Sequence, residues 1–331
     1  MLYSQLAYGL HITSNCRVPG LAADDRSTGG DLELHLNDGT EFPDLSGDVL
    51  YTSENVDESG QPCLRVCRLC SGAYGLFYSD GPRFAVDPHG HRIVGDWPAG
   101  YCLEDAVTYL SGPVLAFVLR LRGIVSLHAS AVAIEGRAIS LVGSPGAGKS
   151  TLSAAFAQTG YAVLSDDVVP LIEEGDCFRV QPGYPRINLW PDAVRALFGS
   201  EDALPRITPT WDKRFLSLDQ SKFLFEPQAL PLGVVYVLRS REAERSVCHI
   251  GPFSPPSAMI TLVANTYLNY LLDKSMRSEE FGVLGRLVKS VAVRFVDLPD
   301  AASQLGELVQ AIAVDAKEIF SDRSGLPIHS C

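Results

Sequence analysis

At 331 residues, with 46% hydrophobic and 20% charged residues, the chain has the length of two folded domains and the composition of an ordinary globular protein. A formal charge of −12 and a pI near 5.0 exclude a sequence-independent nucleic-acid binder, which gains affinity by clustering Lys and Arg on phosphates. No apolar tract reaches the roughly 18 residues that cross a bilayer, and the opening MLYSQLAYGLHITSNCRVPG lacks the basic start and apolar run of a secretion signal, so a cytoplasmic protein with neither membrane nor nucleic acid as partner is expected.

Residues 1 to about 95 alternate short apolar runs with turn clusters, in DLELHLNDGTEF, VLYTSENVDESGQPCLRVCRL and GLFYSDGPRFAVDPHGHRIVGDW. Turn signals at Asn37-Asp38-Gly39, Asp80-Gly81 and Asp87 to Gly90 separate the runs, which is the pattern of a hairpin-rich sheet. His89 and His91 read as hairpin decoration. The eight cysteines are spread unevenly and are expected to be reduced thiols. Cys63, Cys67 and Cys70 stand at C-x3-C-x2-C, but no second ligand pair follows at finger-like spacing, so they read as strand thiols more readily than as a zinc site. Residues 101–120 turn helical, with Gly112-Pro113 set to break or bend the helix. The domain boundary is placed here, giving an N-terminal β-rich domain over 1–98, a second domain over 99–320 and a tail over 321–331.

From Ile124 the text becomes VSLHASAVAIEGRAISLVGSPGAGKSTLSAAFAQTGYAVLSDDVVPLI. SLHASAVAI and RAISLV read as strands joined at Glu135-Gly136, because β-branched and apolar residues dominate and glycine supplies the corner. KSTLSAAFAQTG reads as a helix stopping at Gly160, and YAVLSDDVVPLI as the next strand with two carboxylates near its middle. Strand, Gly-rich loop, helix, strand is the P-loop form of the βαβ unit. Farther on, PLGVVYVLRSR reads as a buried strand. SAMITLVANTYLNYLLD and DAASQLGELVQAIAVDAKEIF carry apolar residues at helical spacing.

Gly143-Ser144-Pro145-Gly146-Ala147-Gly148-Lys149-Ser150, followed by Thr151, satisfies G-x-x-x-x-G-K-[ST] in full. Only small residues let backbone N–H groups converge on a β-phosphate. The helix N-terminus adds partial positive charge, Lys149 neutralises β- and γ-oxygens, and the Ser150 hydroxyl can ligate magnesium. The cofactors expected are therefore ATP and magnesium. Asp166 and Asp167 interrupt an apolar run, where charges are costly unless they serve something. Beside such a loop, carboxylates can reach the metal or the attacking group, and Asp166 joins Ser150 as a candidate metal ligand. His128, in the strand before the loop strand, could approach the γ-phosphate, although a lone His among apolar neighbours is more often an interior residue. Arg186, Lys213 and Arg214 are candidates for offsetting charge on a transferring phosphoryl group.

LHASAVAIEGRAISLVGSPGAGKST…GYAVLSDDVVPL resembles the catalytic core of HPr kinase/phosphorylase, in which a His-bearing strand, a P-loop and an Asp pair occur in this order and spacing. The resemblance implies an α/β (α+β) fold, a P-loop kinase core of the HPr kinase and phosphoenolpyruvate carboxykinase type on mixed sheets. It also implies phosphorylation of a serine hydroxyl on a peptide or small protein. By the same resemblance Gly143, Gly148, Lys149 and Ser150 bind phosphate and magnesium, one of Asp166 and Asp167 is the base, and His128 becomes a site residue. The chain departs from that family where a Glu-x-Arg-Gly segment follows the Asp pair, because Tyr184 and Ile187 flank Arg186 here; this puts reverse phosphorolysis in doubt. Residues 1–95 look instead like the front part of HPr kinase-like proteins of lasso-peptide biosynthesis, which phosphorylate the C-terminal serine of a precursor peptide. PRINLWPDAVRALFG, LPRITPTWDKRF and ANTYLNYLL look like the same subgroup. The family's hexamers extend the implied partners to a homo-oligomer at most. An HPr-type kinase/phosphorylase, a small-molecule kinase and a nucleotide-dependent binding module without transfer stay open as alternatives.

Overall fold

A two-residue hairpin turn whose twist suits its strands needs positive φ at both central residues, and the chain uses one at the head of each of its two units. Tyr8 (φ 58°) and Gly9 (φ 78°) form the first, Glu135 (φ 49°) and Gly136 (φ 73°) the second. The computed structural model describes residues 2–25, 29–37, 42–44, 46–209, 211–218, 221–239, 248–271, 273–298 and 304–323. The chain divides into one unit of Met1–Ile124 with Tyr270–Met276 and another of Val125–Asn269 with Arg277–Cys331.

In the first unit, β1 (Tyr3–Ala7), β2 (Leu10–Ser14), β3 (Ala22–Ala23), β4 (Leu32–Leu36), β5 (Gly47–Thr52), β6 (Leu64–Leu69), β7 (Tyr74–Tyr78), β8 (Arg83–Val86) and β9 (Arg92–Asp96) form one nine-stranded sheet in the order β3-β1-β2-β4-β9-β8-β7-β6-β5. Period-two burial drives it: Leu32, Leu34 and Leu36 are buried while Glu33 between them is exposed. The expected turns at Asp80-Gly81 and Asp87 to Gly90 are present, the second held by the Asp87 carboxylate accepting from the His89 N–H at 2.9 Å. Asp38 and Gly39 lie outside the described residues. The β1–β2 hairpin precedes the first run singled out above, its turn hidden by a tyrosine in a position that favours Asn or Gly.

Helices α1 (Leu103–Tyr109) and α2 (Leu115–Leu121) are joined by a π-helical turn over Leu110–Val114 that contains Pro113. The wide turn absorbs the missing N–H, so the helix bends without ending. Leu115 through Arg120 are all buried. Phe117 meets Tyr74 edge-on at 5.0 Å, and the Tyr8 hydroxyl donates to the Ser111 carbonyl at 2.7 Å. This packing ties α1 and α2 to the nine-stranded sheet, within the unit that runs to Ile124. Cys16, Cys63, Cys67, Cys70, Cys102 and Cys248 are free thiols.

The second unit contains β10 (Val125–Ile134), β11 (Arg137–Val142), α3 (Lys149–Gln158), β12 (Val163–Ser165), β13 (Val168–Glu174), β14 (Cys177–Val180), β15 (Arg186–Leu189), α4 (Pro191–Phe198), β16 (Arg214–Ser217), β17 (Leu230–Leu238), β18 (His249–Pro252), α5 (Pro255–Ala264), α6 (Lys274–Ser290) from Arg277 onward, β19 (Ala292–Asp297) and α7 (Leu305–Arg323). Its pairings close on themselves, β11 to β10 to β13 to β14 to β17 and back to β11. β11, β17 and β19 run parallel while β10 and β13 run against their neighbours, so the fold is mixed α/β. The strand that follows α3 does not lie beside β11 as in a simple βαβ unit; β12 pairs with β10. β10 is long enough to serve β11 along one side and both β12 and β13 along the other.

One core lies where α3, α4 and α7 cover the sheet, and a second where α5 and α6 cover it. Close approach of α7 requires Gly233: a Cβ there would run into the Phe320 ring, which also lies under the Arg137 guanidinium at 5.4 Å. Gly233→Ala is expected to cost about 1–3 kcal/mol by overpacking, read as a lower denaturant midpoint at unchanged slope. The expected helix over SAMITLVANTYLNYLLD ends early, at Ala264, because the Asn265 side chain bonds back to the Thr261 carbonyl at 2.9 Å and Leu268 takes φ 56°. The first residues of the expected tail, 321–323, continue α7, and 324–331 lie outside the described residues. Among the described residues no helix is long and apolar enough to cross a membrane.

Candidate functional site

β11 ends at Val142, and the chain turns through residues 143–148 into α3. Gly143 is fixed by packing, since a Cβ would lie 3.0 Å from the Leu238 carbonyl and 3.0 Å from the Ala147 Cβ. Gly148 is the N-cap of α3 with φ 94°, a left-handed conformation that costs an L-residue roughly 1–2 kcal/mol. Lys149 begins α3 and folds back across the loop, donating to the carbonyls of Gly143 (2.8 Å) and Ser144 (3.2 Å). Its side chain is buried. Burial pulls its ammonium below the usual lysine range, while the charges of Asp167 and Asp166 oppose that shift.

The expected single strand YAVLSDDVVPLI is interrupted at its two acids. β12 and β13 both lie along β10, with Ser165 opposite Ala131 and Val168 opposite His128. Between them the Val168 N–H donates to the Asp166 carbonyl at 3.0 Å around Asp167 at φ 73°. That is a γ-turn with a positive-φ centre, a strained form, and it sends the two neighbouring carboxylates into different surroundings.

Asp166 points inward and is 5% exposed. It accepts from the Ser130 hydroxyl at 2.6 Å and the Asn188 N–H at 3.3 Å, and the Ser150 side chain bonds to it as well. Burial pushes the Asp166 carboxyl above its ordinary range and the Asp167 charge adds to this, so the three donors only partly offset the shift. Asp167 is a third exposed. One carboxylate oxygen is 3.1 Å from His128 Nδ1 and the other accepts from the Tyr267 hydroxyl at 2.9 Å. Burial acts to raise this carboxyl too, but the His128 bond and charge, the Lys213 charge and the Tyr267 bond outweigh it and hold the group below the usual range.

Asp167, His128, Gly146, Lys149, Ser150 and Lys213 line a single cavity of about 430 Å³, to which Pro145, Gly148 and Thr151 also contribute. That volume suits a small-molecule ligand. Asp166 lies beneath the wall. Gly143, Ser144 and Ala147 shape the loop without lining the cavity. Arg186 and Arg214 are not brought to the wall: Arg186 stacks over Phe215 at 4.3 Å, and Arg214 is buried against Asp202 (3.6 Å) and the Asp212 carbonyl. Neighbouring residues of an extended segment face opposite ways, so Lys213 and Arg214 could not both enter.

Four residues at the site were not assigned a role from sequence. Ser130 stands two positions after His128 in β10, so strand alternation puts both on one face, a signal that was readable. Asn188 and Trp190 follow Arg186 in a segment already singled out. Tyr267 has no local signal: the His128 N–H donates to the Asn265 carbonyl and the Tyr267 N–H to the Ser126 carbonyl, both at 2.8 Å, and this contact at long range sets the ring 5.5 Å from the imidazole.

The donors around Ser150 and Asp166 are hard oxygens, as magnesium prefers, and magnesium keeps waters and phosphate oxygens in its shell without needing an all-protein cage. Among the described residues no group of three or more His, Cys, Asp or Glu is placed to hold a metal. The ionised Asp166 carboxylate costs stability at neutral pH, because its folded pKa is raised, and the cost is relieved as pH falls through that value. Asp166→Asn is therefore expected to raise Tm at pH 7.5 by a few degrees and by less at pH 4.5. The amide can keep its oxygen toward the Asn188 N–H and turn its NH2 to the Ser130 hydroxyl, which can rotate to accept, so both contacts keep a partner.

No protein-family model matches the chain, and no curated protein matches it. Among solved structures it is similar to the Hpr(Ser) kinase/phosphatase from Coxiella burnetii at a TM-score of 0.32 and 12% identity, over 60% of this chain and 99% of that one.

Proposed function

We propose that the chain is an ATP- and magnesium-dependent kinase that transfers the γ-phosphoryl group to a serine hydroxyl of a peptide or small protein, with the C-terminal serine of a lasso-peptide precursor as the acceptor class. The observation that carries this reading is the convergence on one cavity of a glycine-rich loop with its lysine, an ionised carboxylate and a second cation. The loop 143–150 cradles the phosphates with backbone N–H groups, and Lys149 leaves its two carbonyl partners to meet β- and γ-oxygens. Ser150 and Asp166 would hold magnesium, which would supply positive charge against the phosphate oxygens. Asp167 orients the acceptor hydroxyl and takes its proton at a carboxylate oxygen as the new P–O bond forms, while the bond from the γ-phosphorus to the β–γ bridging oxygen breaks and ADP leaves with that electron pair. A loose phosphoryl-transfer transition state asks little basicity of that group, so a carboxyl held below its usual range suffices. His128 and Tyr267 keep it aimed, and Lys213 adds positive charge near the transferring group.

Forward transfer is favoured over phosphorolysis in this reading. Where the resembled family has the acid of Glu-x-Arg-Gly, this chain has Tyr184, whose hydroxyl accepts from the Asn188 amide at 3.2 Å. The test is incubation of the full chain with magnesium, γ-labelled ATP and synthetic peptides with and without a C-terminal serine. Label on that serine supports the proposal. ATP turnover that ignores peptide would leave a nucleotide-driven binding module, and label in metabolites alone a small-molecule kinase.

A further inference from the structure

We infer that the apolar half of this cavity is a nucleobase subsite in which Trp190 is the stacking platform, holding the donor's base by its face with little reading of its edge. The inference rests on the nucleotide reading above and adds to it what grips the other end of the donor. The cavity lining is of two chemical kinds. The loop, Lys149, Asp167 and His128 are polar, whereas Leu189, Trp190, Ala193, Ala196 and Leu305 are apolar.

Trp190 immediately precedes α4 in extended conformation and is 60% exposed. A large aromatic surface left in water forgoes one of the greater burial gains open to any side chain, and here it borders a cavity. Ala193 and Ala196, three apart, share one face of α4. Their small side chains let a flat ring approach the helix. The Lys213 ammonium lies 5.0 Å from the indole centroid, and its charge also acts on Asp167. One cation thus stands beside both the indole and the anionic group. A cavity lined by a polyanion cradle and by an exposed indole with small apolar residues fits a ligand that carries both phosphates and a planar ring.

Edge readers are scarce among the apolar lining residues. The Asp192 side chain is 91% exposed and paired with Arg195 at 2.9 Å, and the Asn188 amide is turned to Tyr184. Stacking tolerates any base, because every base has a π-face, so purines should differ little from one another.

The test is calorimetric binding, with magnesium, of inorganic tripolyphosphate, ATP, GTP and UTP to the full chain and to W190A, W190F and A196L. ATP is expected to bind at least about 10-fold tighter than tripolyphosphate, GTP within a few-fold of ATP and UTP more weakly. W190A should weaken ATP on the order of 10-fold, within a span of about 5- to 150-fold, and leave tripolyphosphate unchanged; W190F should keep most of the advantage. A196L, which fills the space under the ring, should erase it independently of Trp190. An ATP-to-tripolyphosphate ratio untouched by W190A and A196L overturns the inference and assigns this wall to the acceptor. Wild-type chain that binds tripolyphosphate as tightly as ATP overturns it while the phosphate cradle stands, and binding of neither overturns both.

Discussion

If the proposed phosphoryl transfer runs through Asp167, Asp167→Asn is expected to lower its rate by about 10²- to 10⁴-fold, the range a positioned proton acceptor contributes, and to leave the fold in place. The amide keeps an oxygen for the Tyr267 hydroxyl and occupies the same volume, so the γ-turn and the contact with His128 survive sterically. What disappears is the negative charge that faces His128 and Lys213, and with it the capacity to take a proton from an acceptor hydroxyl. The stability consequence has a definite sign. Although burial works against it, the folded pKa of Asp167 is lowered, so the carboxylate contributes stability above its unfolded value, near 4, and loses it as pH falls through the folded value. The variant should melt below wild type at pH 7, and the gap should close under acid conditions. Because a third of the side chain meets solvent, screening keeps that gap small. Steady-state kcat/KM with labelled ATP, together with melts at pH 7 and pH 3, checks both parts. Transfer that persists in the variant at the wild-type rate would remove Asp167 from the chemistry.

What the sequence discloses and what it withholds divide along contact range. The turn at Glu135-Gly136, the loop at 143–150 and the stop at Gly160 are local events, in which a few adjacent residues carry the whole cause, and each falls where its residues put it. The two acids were visible as charges inside an apolar run. Their separation into a buried and a half-exposed carboxylate was not, because it depends on a γ-turn at a non-glycine residue that β10 holds from alongside. Tyr267 reaches Asp167 across 100 positions, and no periodicity marks such a contact. Which sheet the helices after residue 98 cover is withheld for a related reason. A helix buried all round shows that it is covered, and only its neighbours show by what. For the cations, the two-residue period of an extended segment admits only one of Lys213 and Arg214 to a given face, a constraint legible in advance once the segment is read as a strand.

Lys149 presents the other large effect. Its Nζ is held by two loop carbonyls, and burial pulls its charge toward the neutral form against the attraction of both aspartates. An ammonium kept in such surroundings does little for the fold, since desolvation offsets most of what its bonds return. Lys149→Met, which preserves length and apolar bulk, is therefore expected to be as stable as wild type, with water at the loop lip bonding the freed Gly143 and Ser144 carbonyls. Transfer, by contrast, should fall by at least about 10²- to 10³-fold, the loss seen when one preorganised donor to a developing charge is removed. Ligand-induced stabilisation separates the two effects. A nucleotide present at about 100 times its dissociation constant stabilises the native state by about 2.7 kcal/mol, which moves the midpoint of a domain of this size by several degrees. Wild-type chain should show that rise with magnesium and ATP, and Lys149→Met should show little of it from an unchanged baseline. A variant that keeps both the ATP-dependent rise and the transfer rate would mean that the lysine is a structural clasp for its own loop and that phosphate binds elsewhere.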